Sequence, residues 1–241
     1  AQELLQYHFE NPKLSHEKRL QLIDKAIWIF TTNREVQNHN FSMIEKLVER
    51  SNPLIYCSYK IQSKDGKKNF GLKSHFENED VLNAPIALCR GARVSIDRNI
   101  WQEVGLFNGA LGTVVDIRYE KIKSPLKGDF PEYIIVDMDN YDGPVWDMMN
   151  PTHVPIPVAV SNCQYACCKM TSVPLNISFA RTLHKFQGQA VGPKQTNKYM
   201  VFGPGTTTFE SMNPGLLYVG LSRMVQLGDT IDNGSFYFFW C

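Results

Sequence analysis

Polar side chains of several kinds lie close together in the stretch SFARTLHKFQGQAVGP, near the C-terminal end of the chain. They are Thr182, His184, Lys185 and Gln187, and Gly188 follows directly after them. The pattern predicts a strand, then a turn and the start of a helix, where backbone N–H groups favour an anionic ligand. We expect the threonine to cap this helix and the donors after it to face a ligand.

Arg223 is the second candidate, in the segment YVGLSRM. It follows an apolar run, Leu216 to Leu221, that we expect to be buried, so its guanidinium should lie at the edge of a domain. Two interpretations stay open from the spacing alone. Arg223 forms a salt bridge with a neighbouring acid, or it is an arginine finger, a cation presented to the phosphate charge that develops during nucleotide hydrolysis.

A strand, a polar turn and a helix are predicted in the N-terminal part. AIWIF, residues 26–30, is a short apolar run typical of a buried strand. Thr32 and Glu35 have the spacing of a capping box, and apolar residues at helical spacing predict a helix from there to about Arg50. Together these elements form half of a βαβ unit.

The same pattern returns in the C-terminal part. PLNISFA (174–180) and KYMVFG (198–203) are predicted strands, and FYFFWC is typical of a buried strand. Asn213 is expected to cap a helix that has Pro214 in its first turn. Because an open parallel sheet binds ligands where its strands end, the two polar clusters, Thr182 to Gln189 and YVGLSRM, fall at positions suited to binding.

The period of the pattern changes between about Pro85 and Val160, where short β-rich runs are separated by turn signals. Asn108 and Gly109 are expected to form a tight turn that leads into a strand. A small antiparallel barrel fits this stretch better than another α/β layer. The β-rich runs are ARVSI, GTVVDI, EYIIVDM and VPIPVAV.

The composition limits the classes of partner. The 241 residues carry a formal net charge of +1, so nucleic acid would bind through a local patch. The densest basic stretch, SYKIQSKDGKKNFGLK, is either a solvated loop or a loop that contacts phosphates. No apolar run approaches the ~20 residues that cross a bilayer, and no secretion signal is recognisable.

The cysteines and the chain ends lead to two further expectations. The six cysteines lack the paired spacing of common zinc sites, so we expect buried thiols. The chain begins without methionine and stops in an apolar run, so we expect a fragment of a longer protein.

Four stretches, in order, resemble superfamily 1 DNA helicases of the RecD-like branch, in particular the petite-integration-frequency helicases and their relatives in Helitron transposons. IFTTNREVQNHN is similar to their motif IV and GLFNGALGTVVDI to their G-L-x-N-G-x-x-G-x-V stretch. PLNISFARTLHKFQGQ is similar to motif V and LLYVGLSRM to motif VI. The departures are mild: Phe186 stands where serine is frequent, and Ser178 and Gly220 stand where alanine is common.

The resemblance implies an α/β fold, the second RecA-like domain of such a helicase. This is a P-loop NTPase-type parallel-sheet domain that lacks the phosphate loop. Residues 1–84 would form its first part, residues 85–160 a small SH3-like β-barrel insertion, and residues 161–241 the remainder. The whole enzyme would be an ATP-dependent DNA helicase that moves 5′ to 3′ on single-stranded DNA.

The resemblance also implies roles for single residues. Arg223 would be the catalytic arginine finger, which reaches the γ-phosphate from across the cleft between two RecA-like domains. Arg34 would be either a second γ-phosphate cation or a surface residue of the first helical turn. The other implied contacts are Gln187, Gly188 and Asn33 on the ATP side and Thr182, His184 and Lys185 on the DNA side.

A phosphate loop of the form G-x-x-x-x-G-K-[S/T] is missing from the sequence, and so is an Asp-Glu pair after an apolar strand. We therefore expect ATP and Mg²⁺ to act in the full-length enzyme, with the metal held by an N-terminal RecA-like domain and not by this segment. This segment alone should be inactive. The alternative is a non-catalytic module, derived from a helicase half, that binds nucleic acid or protein.

The expected partners are single-stranded DNA and the missing N-terminal RecA-like domain, with no membrane. We expect a monomer inside the cell, in the nucleus or mitochondrion if the source is eukaryotic.

Overall fold

The computed structural model describes residues 26–49, 53–58, 60–63, 86–162, 168–186, 199–203, 211–223 and 236–238. The chain divides into two compact units, each taken separately below. The first unit contains Ala1–Met43 and Phe179–Cys241, and the second contains Ile44–Ser178.

The strands of the described residues, in chain order, are β1 (Ala26–Phe30), β2 (Ile55–Cys57), β3 (Lys60–Ser63), β4 (Ile86–Leu88), β5 (Arg93–Ile96), β6 (Leu111–Arg118), β7 (Tyr133–Met138), β8 (His153–Pro157), β9 (Ala159–Asn162), β10 (Cys168–Ser172), β11 (Leu175–Ile177), β12 (Ala180–Thr182), β13 (Tyr199–Phe202) and β14 (Phe236–Phe238). The α-helices within the described residues are α1 (Asn33–Glu49) and α2 (Leu216–Leu221). Short 3₁₀ turns are η1 (Gln102–Val104), η2 (Pro125–Lys127) and η3 (His184–Phe186).

The first unit is built on a parallel sheet with the strand order β12-β1-β13-β14. Ile27 to Phe30 are buried, as expected for a strand inside a parallel sheet that is covered on both faces. The strands predicted from AIWIF, KYMVFG and FYFFWC are confirmed as β1, β13 and β14.

The predicted capping box is confirmed at the start of α1. The Thr32 backbone N–H donates to Glu35 Oε2 at 3.0 Å, and the Glu35 N–H donates to Thr32 Oγ1 at 3.3 Å. These reciprocal bonds satisfy N–H groups that have no partner within the helix. They fix the point at which the chain leaves β1 and enters α1.

The prediction of a single strand over PLNISFA is wrong, because the chain changes partners in the middle of it. Ser178 N–H donates to Arg93 O, so β11 and the residues after it pair antiparallel with β5. One residue later, Phe179 O accepts from Trp28 N–H, and β12 runs parallel to β1. Two strands therefore replace one, and the break falls at the boundary between the two units.

The second unit is antiparallel throughout its described strands. A five-stranded sheet has the order β11-β5-β6-β7-β8, a three-stranded sheet the order β3-β10-β9, and β2 pairs with β4. Val114, Val136 and Val154 lie opposite one another on three neighbouring strands and are all buried. The change to a β-rich pattern is thus confirmed, although VPIPVAV forms two strands, β8 and β9, in different sheets.

The predicted Asn108-Gly109 turn is present. Ala110 N–H donates to Phe107 O at 2.9 Å, and Gly109 has a φ of 95°, a left-handed conformation that glycine adopts without strain. Gly105 has a φ of 93°, and a Cβ there would lie 2.1 Å from the Asn140 carbonyl oxygen. Only glycine fits at that close approach.

The compact second unit is wider than the predicted insertion at residues 85–160. Strands outside that range pair with strands inside it: β2 with β4, β10 with β9, and β11 with β5. The compact unit therefore extends beyond both ends of that range, from Ile44 to Ser178. The division of the chain into helicase domains at 84/85 and 160/161 stays a prediction.

Three cysteines fall in the described residues, and all three are buried free thiols, as expected: Cys57, Cys89 and Cys168. Burial raises the pKa of Cys57 to about 11. Cys163, Cys167 and Cys241 lie outside the described residues. Within the described part, no helix combines the length and apolar character needed to span a membrane.

Candidate functional site

The first unit brings two of the predicted polar turns to the same edge of its sheet. β1 and β12 are parallel neighbours, and Phe30, the last residue of one, lies opposite Thr182, the last residue of the other. The Leu183 N–H then donates to Phe30 O at 2.9 Å, which ties the second turn to the first strand. Both turns therefore begin at the carboxyl edge of the sheet, where open α/β sheets bind ligands.

Asn33 and Arg34 are the first residues of α1, and both side chains are exposed. The capping box fixes the backbone beneath them. Thr31, two residues before the helix, is buried and donates its hydroxyl to Glu35 Oε2 at 3.3 Å. The helix start is thus rigid, while its amide and guanidinium side chains are open to a ligand.

His184 and Lys185 lie on the 3₁₀ turn η3, and both are exposed. The turn is anchored from within, because the next residue, Phe186, is completely buried. Phe186 N–H donates to Leu183 O at 3.2 Å. The aromatic ring that replaces the serine of the resembled motif therefore serves packing, and the two basic side chains project from a turn that is held on the core.

The expectation that Thr182 caps a helix is wrong. Thr182 is the last residue of β12, is 7% exposed and pairs with Phe30 in the sheet. The turn η3 begins only at His184, so the threonine lies too far inside the strand to cap it. The predicted contact of Thr182 with DNA stays a prediction, as do the roles of the other predicted site residues. Gln187 and Gly188 lie outside the described residues.

Helix α2 carries the motif of Arg223 and packs against this same edge. A Cβ at Gly220 would lie 2.6 Å from Leu183 Cδ1 and 3.6 Å from Phe202 Cζ. Leu183 follows β12 and Phe202 ends β13, so the helix lies directly on the ends of two strands. The missing methyl at Gly220, where the resembled motif has alanine, allows this close approach.

Arg223 follows α2 by one residue beyond its C-cap, Ser222, and is partly exposed. Its Nε donates to Val219 O at 3.3 Å and an Nη to Ser222 Oγ at 3.3 Å, both on its own helical turn. Among the described residues, no carboxylate lies within salt-bridge distance of it. The salt-bridge interpretation therefore finds no acid in this part of the chain.

Two details of the α2 prediction are corrected. The helix begins at Leu216, after Gly215 with a φ of 82°, and not at Pro214 with Asn213 as its cap. The run is also not buried throughout, because Leu216 is 7% exposed while Tyr218 is 76% exposed. The short helix packs through one face, which explains why Leu216 is buried and Tyr218 is exposed.

Sequence reasoning missed two residues of this edge. Asn40 of α1 binds the backbone of β12: its Oδ1 accepts from Ala180 N–H at 2.8 Å, and its Nδ2 donates to Ala180 O at 3.5 Å. The available signal was the last asparagine of TNREVQNHN, which belongs to the motif IV match. Arg181 is buried in β12, and no spacing rule singles out an arginine within a three-residue strand.

No group of three or more His, Cys, Asp or Glu side chains that could hold a metal ion occurs in the described ranges. The basic side chains of this edge that are exposed or partly exposed include Arg34, His184, Lys185 and Arg223. Such a set suits an anionic ligand, and phosphate groups are among the anions that arginine and lysine bind well.

The parallel sheet with its polar carboxyl edge is a RecA-like α/β fold of the kind found in helicases. Among solved structures, the Pif1 helicase from Candida albicans superposes with a TM-score of 0.59 at 18% identity, over 98% of this chain and 52% of that chain. A Pif1 structure described for DNA unwinding at forked dsDNA gives 0.56 at 21% identity, over 98% and 46%. Pif1 from Bacteroides, in complex with ADP-AlF3 and ssDNA, gives 0.54 at 21% identity, over 98% and 48%.

No protein-family model and no curated protein matches the sequence. The structural neighbours are Pif1 helicases, and this chain spans about half of their length. The resemblance drawn from the four motifs is thereby confirmed at the level of the fold.

Proposed function

We propose that this chain is the C-terminal half of an ATP-dependent DNA helicase, and that it supplies an arginine finger and a turn that grips single-stranded DNA. The observation that carries the proposal is the shared edge of β1 and β12, where Phe30 lies opposite Thr182. Residues expected on the nucleotide side and residues expected on the DNA side begin within a few positions of that pair. The similarity to a Bacteroides Pif1 that holds ADP-AlF3 and ssDNA together supports the same assignment.

On the nucleotide side, Arg223 would stabilise the charge that develops on the γ-phosphate. Among the described residues, its guanidinium bonds only to its own helical turn, so we expect it to reorient toward a ligand at little energetic cost. Arg34 and Asn33 would lie beside the nucleotide, and Gln187 and Gly188 are assigned to the same side. An arginine finger of this kind accelerates phosphoryl transfer by about 10³–10⁵-fold.

On the DNA side, Lys185 and His184 would contact the phosphates of a single strand, with Thr182 beside them at the strand end. A lysine ammonium binds a phosphate as a point charge and releases a condensed counterion. Because η3 is anchored through Phe186 and through Leu183 N–H, movement of the sheet edge would move these contacts with it. Nucleotide-driven closure would in this way reach the DNA.

The donor set fits ATP only in part. Cations for the γ-phosphate are present, but the sequence has no phosphate loop whose N–H groups would cradle the other phosphates. The phosphates and Mg²⁺ would therefore be held by an N-terminal RecA-like domain, the second partner that we propose. The chain alone would not hydrolyse ATP.

The antiparallel second unit corresponds in this proposal to the SH3-like insertion. Its five-stranded sheet, β11-β5-β6-β7-β8, supports that assignment. Exposed aromatic side chains near one another in sequence, Trp101 and Phe107, are half exposed at 47% and 43% and are candidates for base stacking. We further propose 5′ to 3′ movement and a monomeric enzyme.

Binding of a short oligothymidylate by this chain tests the DNA side of the proposal. Lys185→Ala should weaken binding several-fold and lower the magnitude of the salt slope of log K by about 0.7, the value for one single-strand phosphate contact. Lys46→Ala is the matched control, because Lys46 is exposed and lies about 20 Å along α1 from Asn33. Fluorescence anisotropy at several salt concentrations measures both quantities. Equal behaviour of the two variants would refute the assignment.

The alternative, a non-catalytic binding module, makes a different prediction. Such a module would bind DNA through the same turn but would have no role for Arg223. ATP hydrolysis by this chain joined to an N-terminal RecA-like domain distinguishes the two: turnover that depends on Arg223 supports the helicase half, and turnover that does not supports the binding module.

A further inference from the structure

β12 is the edge strand of the parallel sheet in the strand order of the described residues. In a parallel pair, alternate residues direct their backbone groups to the neighbouring strand and away from it. Here Phe179 O accepts from Trp28 N–H, so the N–H and C=O of the next residue, Ala180, face away from β1. An edge strand leaves such groups open to water or to another chain.

Asn40 takes up both of these outward groups with one side chain. Its Oδ1 accepts from Ala180 N–H at 2.8 Å, and its Nδ2 donates to Ala180 O at the longer distance of 3.5 Å. A side-chain amide carries one acceptor and two donors, so it can replace one residue of a neighbouring strand. Helix α1 is thereby hydrogen-bonded to β12 as well as packed near it.

This contact links the two ends of the candidate site. Asn40 lies about two turns along α1 from Asn33 and Arg34 at its capped N-terminus. Ala180 lies three positions before Leu183, whose N–H is bonded to Phe30 O. The start of α1 and the turn η3 are therefore held in one hydrogen-bonded frame made of β1, α1 and β12.

We infer that Asn40 is a positioning residue: it fixes the turn that carries His184 and Lys185 relative to the start of α1, and so sets the contact of that turn with single-stranded DNA. The inference rests on the proposed function, and it deepens that function by naming the side chain that joins its two sides. Asn40 itself contacts neither DNA nor nucleotide in this account.

Variants of Asn40 separate positioning from plain stability. Asn40→Ala removes both bonds, whereas Asn40→Asp keeps an oxygen that accepts from Ala180 N–H and should restore part of the effect. Asn38→Ala is the matched control, since Asn38 is an exposed asparagine on the same helix. All variants are measured at a temperature at which thermal unfolding curves show them fully folded.

The first readout needs no DNA. Amide hydrogen exchange should become roughly tenfold faster at Ala180, Leu183 and Phe186 in Asn40→Ala, the change expected for the loss of one hydrogen bond. Exchange at Val94 and Val136 in the second unit should stay unchanged. Exchange at the turn equal to that of Asn38→Ala would overturn the inference.

The second readout is binding of oligothymidylate. Asn40→Ala should weaken binding several-fold and reduce the salt slope as Lys185→Ala does, with a smaller loss in Asn40→Asp. The double variant of Asn40→Ala and Lys185→Ala should lose less affinity than the product of the two single fold-losses, because both changes remove the same contact. A lower melting temperature with the salt slope and affinity of Asn38→Ala would mean a purely structural role and would overturn the inference.

The two proposals fail in distinguishable ways. If Lys185→Ala weakens binding and Asn40→Ala does not, the positioning role fails and the proposed function stands. If Lys185→Ala leaves binding unchanged, the proposed DNA contact of η3 fails, and with it the effect assigned to Asn40 on DNA.

Discussion

The two units differ in how their arginine and lysine side chains are paired with carboxylates. In the second unit, Arg93 binds both oxygens of Asp139 and also Thr113 Oγ1, with the Nη1–Oδ1 bond at 2.6 Å. In the first unit, Arg34, Lys185 and Arg223 form no ion pair among the described residues. Paired charges hold a sheet together, whereas unpaired cations at a strand-end edge are available to a ligand.

Asp116 shows the same internal pairing in the second unit. It is 8% exposed, lies at the β-bulge of β6, and binds Arg90 and Arg118, the latter at 2.6 Å. A buried carboxylate beside two arginines is satisfied without any ligand. The position of a charge in the fold, and its partners, therefore say more about binding than the number of charges does.

The largest expected effect concerns Arg223, the partly exposed cation of the first unit. In the full-length helicase that we propose, Arg223→Ala should reduce ATP turnover by at least about a thousandfold, because the proposed arginine finger would contribute at that level. Single-strand affinity should be unchanged. Arg118→Ala in the second unit is the control, since it removes an exposed but ion-paired arginine. Steady-state ATPase and DNA-binding assays measure the two effects, and near-normal ATP turnover in Arg223→Ala would contradict the proposed arginine finger.

The next effect compares two buried side chains. Phe186→Ala and Ile134→Ala each remove a fully buried side chain, from the first and the second unit respectively, and should lower the free energy of unfolding by about 3–5 and 2–5 kcal/mol. The Phe186→Ala variant alone should also show weaker oligothymidylate binding in the protein that remains folded, because Phe186 anchors η3. Urea denaturation followed by anisotropy measures both. Equal loss of binding in the two variants would contradict the assignment of the site to the first unit.

A smaller effect concerns pH and the second unit. Burial raises the pKa of the Cys57 thiol from 9.0 to about 11, so the native state keeps a proton that the unfolded state loses. The resulting stability is present below pH 9 and is lost as the pH rises toward 11. Between pH 8 and pH 10 the free energy of unfolding should fall by about 1 kcal/mol more in the unaltered chain than in Cys57→Ala. Identical pH slopes in urea denaturation would contradict this.

Much of the fold could be predicted from local patterns. AIWIF is an apolar run inside a parallel sheet, and TTNRE is a capping box that both bonds confirm. The β-rich runs of the second unit carry alternating patterns and turn residues that need no distant partner to be recognised. Phe107 to Ala110 forms its turn through a local bond.

The predictions that failed concern residues whose local structure depends on a partner that is distant in the sequence. PLNISFA is continuous in sequence, yet Arg93 pairs with one half and Trp28 with the other, and neither partner is visible locally. Thr182 has the composition of a cap, but its pairing with Phe30 keeps it in the strand. Asn40 and Ala180 are 140 residues apart in the sequence, so the hydrogen bond between them could not be predicted without the fold.

Hydrogen exchange of this chain with and without a short oligothymidylate tests whether the sheet edge of the first unit binds DNA, because it reports on both units at once. Binding should protect the amides of Leu183 to Phe186 and of the first turn of α1, and should leave exchange at the buried amides of β7 unchanged. DNA binding with unchanged exchange at Leu183 to Phe186 would contradict this prediction.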